Sequence, residues 1–166
     1  GKLSEAYQQL SESLKIWRTV GDPRGLVFCM LYLGMSTFAL GDIPATRAIL
    51  LESNAIAEAK MDRWAHAFGL DLLGMISLSQ GQTEEALAYF NQSLALSRGI
   101  GDQLSAAQTT IHLGQTYARL RSDEQAKRLL FEAYASAYEA KWAFVLLDAV
   151  FSFAEIENGL SAETKL

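Results

Sequence analysis

Displaced by 40 residues, the sequence overlays itself without a gap. Leu33-Gly34 falls on Leu73-Gly74 and on Leu113-Gly114, and Gly21-Asp22 falls on Met61-Asp62 and Gly101-Asp102. Gly41-Asp42 falls on Gly81-Gln82 and Arg121-Ser122, Ala6 on Thr46, Ala86 and Ala126, and Leu10 on Leu50, Phe90 and Leu130. A fixed period of this length marks a repeat array, in which each unit hides its apolar face only by stacking on its neighbours. The units run at about 1–40, 41–80, 81–120 and 121–160 of a single array spanning 1–166.

Each period holds two helical patterns. Apolar residues recur at three and four spacing, as in Leu3, Tyr7, Leu10, Leu14 and Trp17. This predicts helices near Leu3–Val20, Ile43–Ala59, Thr83–Arg98 and Asp123–Ala140, alternating with a second set near Arg24–Leu40, Arg63–Gln80, Gln103–Leu120 and Ala143–Asn158. Short joints between them imply antiparallel neighbours. Thr83-Glu84-Glu85 and Ser122-Asp123-Glu124 offer capping oxygens and acids at helix starts. No β-hairpin signal is present. The expectation is an all-α solenoid of about eight helices in antiparallel pairs.

Gly34, Gly74 and Gly114 sit inside apolar helical runs, where glycine costs about 1 kcal/mol relative to alanine. Close approach of a partner helix offsets that loss. The small residues Thr46, Ala86 and Ala126 are the expected opposite wall.

The net charge of −5, spread along the chain, argues against direct nucleic-acid binding, which needs a basic face. The longest uncharged stretch, Gly25–Gly41, is too short and too polar for a membrane span. The single cysteine, Cys29, lies in an apolar run, and a reduced, cytoplasmic setting is expected. His66 and His112 have no metal-ligand spacing around them. No phosphate loop or dinucleotide fingerprint occurs, and the helical serines Ser36, Ser77 and Ser79 have no evident base. Neither catalysis nor a cofactor or metal is expected.

The Leu113-Gly114…Tyr117 and Ala86…Phe90…Ser93 patterns resemble the tetratricopeptide repeat family. Met30 and Leu70 stand in the first slot of that signature; Thr110, and Thr37 and Ser77 in the aromatic slot, depart from it, as does the missing terminal proline. The 40-residue period with Gly-Asp joints is similar to repeats of large bacterial ATP-dependent transcription activators of the maltose-activator type. A HEAT-like solenoid is the competing fold, disfavoured by the Leu-Gly and Ala-x-x-x-Phe pattern.

The resemblance implies a right-handed superhelix whose concave wall is lined by the helices carrying Leu-Gly. Counting by helical turns then assigns that wall Phe28, Leu31, Met35 and Phe38; Phe68, Asp71, Met75 and Leu78; Gln108, Ile111, Gln115 and Arg119; and Asp148, Phe151 and Glu155. The same apolar stripe also reads as core. Asp71 interrupts an apolar helix and needs a partner if buried, with Arg119 or a backbone group as candidates. Leu31 and Met35 stand where chaperone-binding members carry polar groups for a terminal carboxylate, so that clamp is not expected.

The resemblance implies a non-catalytic interaction module that holds a peptide or protein segment. Small-molecule effector sensing within a transcription regulator is the alternative. Neither end carries an obvious polar cap, so a piece of a longer chain is expected, with contact between copies through the end helices as a further option. The segment "NGLSAETKL" is read as the start of another unit.

Overall fold

The computed structural model describes residues 1–159, so most of the last segment lies outside the described residues. Eight helices follow one another: α1 (Lys2–Val20), α2 (Pro23–Ala39), α3 (Ile43–Ala59), α4 (Arg63–Ser79), α5 (Thr83–Gly99), α6 (Gln103–Arg119), α7 (Asp123–Ala140) and α8 (Ala143–Glu157). No strand occurs among the described residues. The array is a right-handed superhelix of antiparallel helix pairs.

The joints stop and restart the helices by one recurring device. A left-handed residue ends one helix: Gly21, Gly41, Gly81 and Gly101, and, without glycine, Met61, Arg121 and Lys141. An aspartate often follows. The carboxylates of Asp22, Asp42, Asp62 and Asp102 accept backbone N–H groups in the first turn of α2, α3, α4 and α6. The expected caps at Thr83 and Ser122 do not form: α5 and α7 have no side-chain cap, and their acidic first turns complement the helix dipole instead.

Every helix packs on its chain neighbours. The glycines explain how closely. A Cβ on Gly34 would meet Leu50 at 2.7 Å, and one on Gly114 would meet Leu130 at 2.9 Å. The side chains of the opposite wall are therefore Leu50, Phe90 and Leu130, one turn beyond the expected Thr46, Ala86 and Ala126, of which the Ala126 carbonyl also stands 3.3 Å from a Cβ on Gly114. Those small residues are nonetheless fully buried beneath the same contact. A large side chain presses into each notch, and the dispersion and burial it gains exceed the propensity loss.

Arg47 of α3 bridges to Glu85 of α5 while donating to Ser77, Gln80 and Gln82. Cys29 is buried in α2, and burial pushes its thiol pKa up, which makes it an inert small hydrophobe.

Candidate functional site

The helices divide into two rows. The backbones of α2, α4, α6 and α8 approach one another in succession, whereas those of α1, α3, α5 and α7 stand apart and are linked by ion pairs of long side chains, Arg18–Glu52, Arg47–Glu85 and Arg98–Glu132. The row of close backbones is the inner, concave wall, because curvature brings inner elements together and parts outer ones.

The residues of the inner row that stay open to solvent follow one stripe. On α2 it is Arg24, Phe28, Tyr32, Met35 and Ala39. The equivalents on α4 are Trp64, Phe68, Leu72, Met75 and Ser79. Phe28 stacks on Trp64 with centroids 5.3 Å apart and an interplanar angle of 9°, and Trp64 packs against Phe68 at 5.4 Å. Arg24 lies over the Phe28 ring. Between α2 and α4 lies an apolar cavity of about 100 Å³ lined by Met35, Phe38, Leu72 and Met75, with Leu50 at its base. Its walls are two flexible thioethers and a ring, a lining that adapts to differently shaped apolar side chains.

Toward α6 and α8 the stripe becomes polar: Gln108, His112, Gln115 and Arg119, then Asp148 and Glu155, with Ser152 buried between the last two. Gln115 donates to Ser152 Oγ at 2.9 Å, and Arg119 donates to the Leu78 carbonyl at 2.6 Å.

Four expected wall residues belong to the core instead. Leu31 and Ile111 are 0% exposed, and Leu78 and Asp71 are also buried. The reason is rotational. Positions 31, 71 and 111 point between adjacent inner helices, and the next residue along, at 32, 72 and 112, turns into the groove. Phe151, on the same core-facing row, is 67% exposed only because no described helix covers that side of α8. Leu147 and Val150 share that open face. Phe28, Met35, Phe38, Phe68, Met75, Gln108, Gln115 and Arg119 keep partial or full exposure. Tyr32, Trp64 and Leu72 are wall residues that counting missed, and a stripe drawn at four-residue steps from Arg24 finds them.

Asp71 is satisfied by His112 and Thr109, not by Arg119. His112 Nδ1 donates to Asp71 Oδ1 at 3.0 Å, and Thr109 Oγ1 donates to the same oxygen at 2.8 Å. Thr109 also meets Ser93 at 3.3 Å. Burial opposes charge on His112, but the Asp71 carboxylate, its hydrogen bond and the more distant Asp148 outweigh it and hold the imidazole pKa above its ordinary value. The pair is a buried tie between α4 and α6. Among the described residues no group of His, Cys, Asp and Glu has the arrangement of a metal site, and no helix is long and apolar enough to cross a membrane.

Paired helices in a single-handed spiral, with an inner wall that is apolar at one end and polar at the other, define a tetratricopeptide-type repeat array. Residues 66–139 match the tetratricopeptide repeat family. No curated protein matches the chain significantly in sequence. Among solved structures it is similar to aspartyl phosphate phosphatase F from Bacillus subtilis, at 18% identity and a TM-score of 0.75 over 84% of this chain and 37% of that one. It is similar to a Rap protein complexed with competence and sporulation factor, at 17% identity and a TM-score of 0.82 over 96% of this chain and 48% of that one. A putative kinesin light chain with nearly identical TPR-like repeats, from Podosopora anserina, has 17% identity and a TM-score of 0.73, over 96% of this chain and 80% of that one. At these identities the likeness is one of fold. The chain spans less than half the length of the first two proteins.

Proposed function

We propose that this chain is a non-catalytic docking module that holds a protein or peptide segment along its concave wall. The carrying observation is the solvent-facing stripe of Phe28, Tyr32, Met35, Trp64, Phe68 and Met75 beside an apolar cavity. Aromatic and methionine side chains on a concave face are what helix-in-groove recognition uses, with apolar anchors entering pockets and polar groups fixing direction. Gln108, Gln115, Asp148 and Glu155 supply the polar end. A structurally similar Rap protein is seen complexed with competence and sporulation factor, which supports the reading by analogy of fold.

The setting that fits is cytoplasmic, within a bacterial regulatory protein of the transcription-activator type. The open faces of α1 and α8 favour contact with further repeats, from the same chain or another copy.

Capture of binding partners by wild type and by Met35→Glu and Phe68→Glu variants tests the reading, with circular dichroism run in parallel. Loss of one partner with the helical signal intact supports it. Unfolding by both substitutions, or retention of the partner by both, overturns it. The alternative, effector sensing by the same groove, is favoured if a metabolite rather than a polypeptide raises the melting temperature and Met35→Glu abolishes the shift.

A further inference from the structure

Between the outer helices α5 and α7, over the first turns of α6, lies a cleft of about 470 Å³. It is separate from the concave wall, and the repeat shows how it arises. Its lining includes Ala106, Thr110, Ser136 and Ala140. At the same positions the earlier units carry Leu26 and His66, Met30 and Leu70, Ile56 and Leu96, and Lys60 and Ile100. Four large side chains have been replaced by four small ones in one interval of an otherwise regular array. The volume that results falls in the range of small-molecule sites, roughly 300–1,000 Å³.

The charges around it have a direction. Glu132 and Glu139 stand two turns apart on α7, and both line the cleft. Arg98 is committed to Glu132, while Glu139 forms no ion pair among the described residues. The C-terminal end of α7, at Ala140, carries partial negative charge at the rim. The one helix start nearby, that of α6, is already covered by Asp102, which accepts from Ser105. The floor of Ala106, Ala107 and Ala133 is apolar and smooth.

We propose that this cleft is a binding site for a small organic cation, an ammonium or guanidinium group on a short alkyl stem. The stem lies on the alanine floor. The cation meets Glu139 and the carbonyl end of α7, with the Ser136 hydroxyl as a further acceptor.

Isothermal titration of the purified chain with agmatine and with 1,4-diaminobutane tests this, with butane-1,4-diol and glutamate as uncharged and anionic controls. Saturable binding of the cations alone is the expected result. Glu139→Gln removes a charge-assisted contact and is expected to weaken binding about tenfold. Ala106→Leu with Ser136→Ile restores the residues two periods earlier, Leu26 and Ile56, fills the cleft, and is expected to abolish binding. Acetyl-lysine-amide separates the sources of the group: binding tighter than that of the free amines assigns the site to a partner's lysine, and weaker binding assigns it to a free cation. If the filled variant does not fold, Glu139→Gln carries the test, because its side chain is exposed. Absence of saturable cation binding, equal binding of the diol, or unchanged affinity in Glu139→Gln overturns the proposal.

Discussion

Gly74 of α4 and the ring of Phe90 of α5 meet so closely that a Cβ on Gly74 would stand 2.5 Å from the ring. Phe90 is fully buried and has little room to retreat. Gly74→Leu should therefore destabilise the array by the overpacking range, roughly 1–3 kcal/mol. Urea melts measure it. A second substitution, Phe90→Leu, matches the leucines that face Gly34 and Gly114 and should recover part of the loss in a double-mutant cycle. Wild-type stability in Gly74→Leu would remove this account of the helical glycines.

The tie between Asp71 and His112 gives a dependence on pH. Burial works against protonation of His112, Asp71 and Asp148 work for it more strongly, and the folded pKa stands above the unfolded value. The contribution is complete below the ordinary imidazole value of 6.5 and is lost as pH rises through the folded value. Urea midpoints should fall over that window, and the fall should vanish in His112→Gln, which can donate to Asp71 at any pH. A midpoint that stays level across the window in wild type would contradict the assignment.

Leu31 and Tyr32 are adjacent in sequence and opposite in role: one is 0% exposed and the other 50%. Leu31→Ala should cost about 2–5 kcal/mol, as for other buried leucines. Tyr32→Ala should stay within about 0.5 kcal/mol of wild type, as surface substitutions do. Comparable losses at both positions would refute the assigned orientation of α2.

Met61 has φ 56° and is 85% exposed. Its equivalents Gly21 and Gly101 hold the same backbone without a Cβ. Left-handed geometry costs an L-residue about 1–2 kcal/mol, and glycine returns part of that through its looser unfolded state. Met61→Gly should raise stability by roughly 0.5–1 kcal/mol, seen as a higher midpoint in urea. A lower midpoint would show that Met61 makes a contact of value.

The helices were legible because period and joint repeat together: every boundary read from the sequence falls within a residue of the observed one. The inner row was legible through the family resemblance. The face of each inner helix was harder. Position 31 and position 32 differ by a single 100° turn, and both Leu31 and Tyr32 suit either core or groove by polarity alone. Only the direction of the glycine notches, which point toward Leu50, Phe90 and Leu130, fixes the rotation, and the sequence does not say which neighbour fills a notch. The partner of Asp71 was missed for a related reason. Thr109 and His112 lie about 40 residues downstream, at the neighbouring point of the next inner helix, and their side chains are ordinary for a helix surface.

The outer helices α1, α3, α5 and α7 are linked by ion pairs of long side chains rather than by close backbone packing, which leaves the outside of the spiral easier to stretch than the inside. Bending then concentrates on the inner seams, where the Asp71–His112 tie and the Phe28–Trp64 stack sit. The coil behaves as a spring whose stiffness is set along its inner edge. A segment docked as proposed would draw on the same seams, which would couple occupancy to pitch.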